Sequence, residues 1–305
     1  MNLRQLYYEH KFDRIARRLG EDYPRGRSSQ RVAWDLFTDL ETSSSSDLFL
    51  GVYGDLALMD LFHEFGLINA LAGQGIHDPQ LQLDLTDAYR HVLRFYDEKI
   101  EPEALFAELV FRRARLSDTM ESLGDEGKYP SLHLEWILLQ NPHRRFGRDH
   151  PMLPGQEYPG LALGDMVLSL IAALGKNLRM SAMVTVPASI HSALFFLKCY
   201  YTRSPAIHAQ LLAAKRAVKR IGRTEVIWAE HWGDLLEEET GAVYHWEPAE
   251  MIQPLRDEIK AWFDNEDGYQ KELHETHPHY KIRDDIQIKT LDSGEVLREV
   301  VSGSE

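Results

Sequence analysis

Residues 155–164 read GQEYPGLALG, three glycines directly ahead of a segment with a helical apolar stripe. A glycine turn that opens a helix leaves the first-turn N–H groups without intrahelical partners, and the helix dipole adds partial positive charge there. The chemistry this suggests is phosphate binding; the same glycines would also serve a plain turn. Other groupings offer less. His274, His277 and His279 lie in HETHPHY, but Pro278 and the lack of i, i+4 spacing argue against a dedicated metal site. His191 and Cys199 fall eight residues apart on one expected helix, about 12 Å, too far for a nucleophile–base pair. Cys199 reads as a small buried apolar residue, and His63 as a core or helix-surface histidine. No Gly-x-Ser-x-Gly elbow, Walker loop or dinucleotide fingerprint occurs. The late tryptophans, Trp228, Trp232, Trp246 and Trp262, would stack an aromatic ligand or pack a core.

The elements around the glycine turn follow from apolar periodicity. Residues 131–141 (SLHLEWILLQN) read as a strand. Residues 165–178 read as a helix, with Leu163, Val167, Leu170, Ile171, Leu174 and Leu178 on one stripe. Residues 180–187 (MSAMVTVP) read as a second strand, reachable by a right-handed parallel crossover, and 190–201 as a further helix. Upstream, 1–40 is helix-like, and 42–46 (TSSSS) is a linker or cap. Residues 47–72 suggest a strand and then a helix. Residues 80–86 alternate as a half-buried strand, 89–96 fit strand or helix, and 104–116 fit a strand. Downstream come a helix over 205–222 ending in basic residues, a strand-like 225–230, and a turn at Thr240–Gly241 before 242–246. A helix over 254–263 follows, then strands 281–289 and 295–301 meeting at Asp292-Ser293-Gly294. The class expected is α/β (α+β mixed): a central mixed sheet flanked by helices, with a helical N-terminal segment (1–46), an N-terminal α/β part (47–130), a core (131–224) and an acidic C-terminal extension (225–305).

Composition narrows the partners. With 305 residues, 44% apolar and 27% charged, the chain resembles an ordinary soluble protein. A single cysteine excludes an internal disulfide and suits a reducing compartment. No secretory leader or long apolar run is read, so a cytoplasmic location away from membranes is expected. The net charge of −14 is uneven. Residues 166–224 contain no Asp or Glu and nine Lys/Arg, whereas 234–305 contain 19 acids against 7 Lys/Arg. An acid-free block beginning at the glycine turn suggests an anionic ligand; a basic face that docks on the acidic tail explains it equally. Overall acidity opposes counterion-release binding, so nucleic acid is not expected as a partner.

The order strand, glycine-bearing loop, helix, strand and short helix ending in aromatics resembles the GNAT superfamily of acyl-CoA N-acyltransferases, over residues 131–203. That family's loop reads Gln/Arg-x-x-Gly-x-Gly/Ala, and its amides hold the coenzyme A pyrophosphate. Gly160-Leu161-Ala162 or Ala162-Leu163-Gly164 supplies the Gly/Ala pair here, with Glu157 or Pro159 at the leading position and Gln156 one residue out. The family's next signature, a strand followed by Asn, Ala and Tyr-Gly-Phe, is met by Val184-Thr185-Val186, then Ile190, His191, Ser192, Ala193, Phe196 and Tyr200-Tyr201, without the Asn or the Gly-Phe.

The resemblance implies acetyl-CoA or another acyl-CoA as co-substrate. Its pyrophosphate would meet the amides of Gly160, Leu161, Ala162, Leu163, Gly164 and Asp165, with His191 nearby. Ile137, Leu138 and Leu139 would offer backbone groups to the pantetheine arm, and Arg144, Arg145 and Arg148 would meet the 3′-phosphate. Glu135 would be the base, its pKa raised by an apolar strand, and Tyr200 (Tyr201 in reserve) the acid at the leaving thiolate. The alternatives are that Glu135 faces solvent and that the tyrosines only pack. The reading is then an acyl-CoA-dependent N-acyltransferase acting on a small-molecule or peptide amine, its extensions shaping the acceptor site or a homodimer contact. A non-catalytic GNAT-like binding or interaction protein is the alternative; an interaction module pairing basic block with acidic tail is a third.

Overall fold

The computed structural model describes residues 48–116 and 129–301. The expected N-terminal helix and linker, 1–46, lie outside the described residues. The chain divides into two compact units: one runs to Gln140 and takes in Leu161–Ser181, the other comprises Asn141–Gly160 and everything from Ala182 onward.

In the first unit the expected strand around residues 48–54 is instead a tight turn. Leu50 (φ 49°) and Gly51 (φ 67°) are left-handed, and Phe49 and Tyr53 close the turn as an isolated bridge. Helices α1 (Asp55–Glu64) and α2 (Leu67–Ala72) follow, separated by Gly66 at φ 80°. Strands β1 (Pro79–Asp84), β2 (Arg90–Asp97), β3 (Leu105–Arg115) and β4 (Pro130–Leu139) then form an antiparallel meander. Phe62 of α1 meets Phe95 of β2 edge-on at 5.4 Å, and Phe95 tilts onto Phe106 at 5.8 Å. Each such buried side chain contributes about 1.5–3 kcal/mol. Helix α3 (Gly164–Asn177) has ten consecutive buried residues, Met166 through Gly175, and is therefore enclosed on all sides and not merely laid on a surface.

The second unit contains β5 (Ala182–Thr185), α4 (Ile190–Phe196), β6 (Tyr201–Thr202), α5 (Pro205–Arg220), α6 (Arg223–Trp232), β7 (Leu235–Glu237) and β8 (Met251–Pro254). It continues with α7 (Asp257–Phe263), α8 (Tyr269–Glu275), β9 (Tyr280–Ile282), β10 (Ile286–Thr290) and β11 (Val296–Val300). β8 lies between β5 and β6, antiparallel to both. β7 pairs with β9, and β10 with β11 around the Asp292–Gly294 turn. Seven strands thus order as β1-β2-β3-β4 in the first unit and β5-β8-β6 in the second, with helices, so the α/β class is as expected. Residues 225–230, expected as strand, belong to α6, because Gly222 (φ 136°) and Gly233 (φ 75°) end the segment and burial of Val226, Ile227 and Ala229 overrides their β preference. Residues 242–246 make only an isolated bridge, Val243 to Leu236. Among the described residues no helix is long and apolar enough to cross a membrane.

Polar anchors hold the second unit's periphery. Asp234, 1% exposed, receives Nε and Nη2 of Arg298 at 2.6 and 2.9 Å and lies 3.5 Å from Arg283 Nε. The hydrogen bonds from Arg298, outweighing burial, hold its carboxyl below the usual range. Its folded pKa is therefore depressed, and its stabilisation is present above about pH 4 and lost as pH falls further. We expect Asp234→Asn to destabilise the protein by about 1–3 kcal/mol at neutral pH. Urea denaturation should show that penalty shrinking toward pH 3.

Candidate functional site

The first unit brings one part of the expected site together through a register shift. Val110 pairs with Trp136, but the next residue, Phe111, pairs with Leu134, so Glu135 is an extra residue in β4, a β-bulge. Arg90 stands opposite Arg112, and Arg112 opposite His133, in one row across β2, β3 and β4. The Glu135 carboxylate meets that row: Oε2 lies 3.1 Å from Arg90 Nε, and Oε1 accepts from Arg112 Nε. Its side chain is 30% exposed. The apolar setting expected for Glu135 is therefore replaced by two guanidiniums on a solvent-facing sheet surface. A carboxylate offers about four lone-pair sites, and these two bonds leave room for an ammonium or a water. His133 beside it is held neutral, its pKa lowered to about 4 by burial and by Arg112, with Glu135 opposing. Its ring shares a 3.2 Å hydrogen bond with the Ser131 hydroxyl.

Beyond the bulge Ile137, Leu138 and Leu139 are half-buried and continue the ladder against Leu109, Glu108 and Ala107. In an antiparallel pair alternate residues turn their N–H and C=O away from the partner strand. These are the groups an amide-bearing ligand arm needs. At the strand's end the Leu139 carbonyl accepts from Leu161 N–H at 3.3 Å, which fixes the start of the turn to β4. Leu161 is 2% exposed and anchors it.

The left-handed residue of this turn is Ala162 (φ 60°), and neither Gly160 nor Gly164 has a positive φ. A Cβ-bearing residue there costs about 1–2 kcal/mol, strain of the kind found at ligand-holding turns. Leu163 is the N-cap of α3 (φ −107°, ψ 12°), and its side chain makes no capping hydrogen bond. Ala162 is exposed, and Leu163, Gly164 and Asp165 are half-buried. An accessible entrance of a 14-residue helix whose N-cap residue has no capping side chain can receive an anion. Asp165, in the first turn, complements the dipole itself and so competes with such an anion.

The remaining expected residues belong to the second unit. Gly160 is exposed, and Pro159 just before it accepts the Asn141 N–H at 2.7 Å. Tyr200 is 2% exposed, edge-on to Phe196 at 5.1 Å, and its hydroxyl has no hydrogen-bond partner. Burial, then the neighbouring Cys199, push its phenol well above the ordinary range. Tyr201 stacks on Phe263 at 4.6 Å within an aromatic group that includes Tyr269 and His208. His191 is kept neutral at about 4 by burial and Arg223, 3.1 Å from the Ser189 hydroxyl. Arg148 is 3.7 Å from Asp292 at the surface. Trp228 and Trp246 donate their indole N–H groups to the Met152 and Pro187 carbonyls, and Trp262 packs on Phe263, all as structural anchors.

Sequence reasoning missed Arg90 and Arg112, which act through register and not through proximity in the chain. One signal was present: the apolar positions Leu132 and Leu134 slip by one to Ile137 and Leu139, as an inserted residue requires.

Neither a family model nor a curated protein sequence matches the chain. Among solved structures, AtaT complexed with acetyl-methionyl-tRNAfMet aligns over 69% of this chain and 88% of its own, at TM-score 0.25 and 11% identity. That likeness is distant.

His133, His191 and His208 are each held near pKa 4, burial being the largest cause. The unfolded chain protonates such groups near pH 6.5. Their stabilisation is thus complete above about pH 6.5 and lost as pH falls toward 4, with up to three protons taken up on unfolding. Urea midpoints across this range should fall steeply, and His133→Gln should reduce the uptake by about one proton.

Proposed function

We propose that the chain is an acyl-CoA-dependent N-acyltransferase of GNAT-like architecture, transferring an acyl group, acetyl in the simplest case, to a small-molecule or peptide amine. The observation that carries this reading is the conjunction, within one unit, of a bulged strand and a left-handed helix entrance whose N-cap residue, Leu163, has no capping side chain, tied by the Leu161–Leu139 hydrogen bond. In this reading the amides of Leu163 and Gly164 receive the pyrophosphate, and the outward backbone groups among Ile137–Leu139 receive the pantetheine arm. The amine nitrogen attacks the thioester carbonyl, the C–S bond breaks, and the thiolate takes a proton. Glu135, steadied by Arg90 and Arg112, accepts the proton lost by the acceptor ammonium, directly or through a water. The thiolate takes its proton from the attacking nitrogen or from water. A second reading, ligand binding without turnover, is favoured by the two ion pairs that already occupy Glu135.

Calorimetry with acetyl-CoA tests the shared premise, and absence of binding at millimolar ligand would refute both readings. Asp165→Asn should tighten acetyl-CoA about two- to fivefold by removing a competing charge from the helix entrance. Thiol release over a panel of amines then separates the two readings. Under the transferase reading Glu135→Gln lowers kcat and leaves the acetyl-CoA dissociation constant unchanged.

A further inference from the structure

Trp136 is an exposed aromatic residue beside the proposed base, and no step of the acyl transfer uses it. The bulge turns both Glu135 and Trp136 toward solvent, and the Trp136 residue is 50% exposed. The other tryptophans are engaged: Trp228 and Trp232 tilt onto each other, Trp246 donates to a carbonyl, and Trp262 packs edge-on against Phe263. Trp136 has neither a ring contact nor an indole hydrogen bond among the described residues. Its register partner Val110, and Val92 beyond it, are each 2% exposed, so the sheet along this row is closed to water. A half-exposed indole on a closed sheet offers a flat apolar surface to a second ring. Its place in the strand matters as well. Trp136 stands between Glu135 and Ile137–Leu139, the residues proposed to receive the pantetheine arm, and each residue of strand spans about 3.3 Å. A molecule resting on the indole therefore lies next to both the base and the thioester.

The two arginines specify the rest of that molecule. Each gives its Nε to Glu135, and a guanidinium has further N–H donors on its Nη atoms. Among the described residues nothing accepts from those Nη groups, and the two side chains are 48% and 43% exposed. Asp84 of β1 and Glu108 of β3 are engaged elsewhere: Asp84 accepts from Thr86, and Glu108 from Arg94 Nε at 2.6 Å. Two guanidiniums against one carboxylate disfavour a plain ammonium, which adds positive charge to the row. They favour an ammonium that brings its own carboxylate. In an α-amino acid both groups are carried on one carbon, and here Glu135 and its two arginines are in direct contact. Resting on the acyl-transfer reading, we propose that the acceptor is a free aromatic amino acid, its ring on Trp136, its carboxylate on the Nη groups of Arg90 and Arg112, and its ammonium at Glu135. Trp136 and the two arginines then set specificity, and the bond changes are those of the acyl transfer already given.

The test is thiol release from acetyl-CoA by the full chain with tryptophan, tryptophan amide and alanine as acceptors. Tryptophan has ring and carboxylate, its amide the ring alone, and alanine the carboxylate alone. Tryptophan should give a kcat/KM about tenfold or more above either. This comparison is made on the unaltered chain, so it holds even where a variant fails to fold. Trp136→Ala should lower kcat/KM for tryptophan about tenfold and leave that for alanine within about twofold. Arg90→Gln should raise KM for tryptophan about tenfold and leave KM for the amide within about twofold, whereas a merely structural arginine would alter both alike. Equal use of tryptophan and its amide, or of tryptophan and alanine, would overturn the proposal while the transferase reading stands. Release with other amines but none of these acceptors would do the same. No release with any amine would remove the transferase reading and this proposal with it.

Discussion

Arg90 and Arg112 face each other directly across β2 and β3, an arrangement that like charges make unfavourable in a sheet. What makes it tenable is Glu135, which reaches both guanidiniums from the next strand. The bulge at Glu135 belongs to the same solution. An extra residue shifts the phase of everything after it, so Glu135 and Trp136 are both exposed while Leu132 and Leu134 before them are buried. The strand leaves the bulge in a new phase, and its far end, Leu139, is where the turn into α3 is tied down. Charge balance in the arginine row and the placement of the helix entrance thus trace to one inserted residue.

The entrance itself depends on a second local constraint. Leu161 is buried and bonded to β4, Met166 onward is buried in α3, and only four residues join them. A reversal that short requires a left-handed residue, and Ala162 supplies it at a cost a glycine would avoid. The N-cap residue that follows it, Leu163, has no capping side chain. Backbone strain and the start of α3 therefore coincide at one place.

Much of this was legible in the sequence wherever local pattern decides structure. The apolar stripe of residues 165–178 foretold α3, period-two alternation foretold β1, and Asp292-Ser293-Gly294 marked the β10–β11 turn. Pattern failed where tertiary context wins: Val226, Ile227 and Trp228 look like strand yet are helical between two left-handed glycines. It failed also for residues 48–54, whose alternating apolar side chains close a turn and extend no strand. The counter-ions of Glu135 were invisible for a different reason. They lie 45 and 23 residues upstream, and only the register of three strands brings them to it. The setting of a candidate base is a property of the sheet, and a strand read alone cannot reveal it.

The second unit contains buried polar atoms both with and without a protein partner. Tyr269 is buried, and its O–H reaches the Thr202 carbonyl at 2.7 Å, while the indole of Trp246 reaches the Pro187 carbonyl at 2.8 Å. Those side chains explain themselves as packing with a polar tether. Tyr200 and Tyr244 are equally buried, but their hydroxyls meet nothing. An unmade hydrogen bond of this kind costs about 1–3 kcal/mol, and phenylalanine would fill nearly the same volume without it. A buried water would complete either hydroxyl. Tyr200 and Tyr244 thus differ from Tyr269 and Trp246 in one respect, the absence of a protein partner for the polar atom.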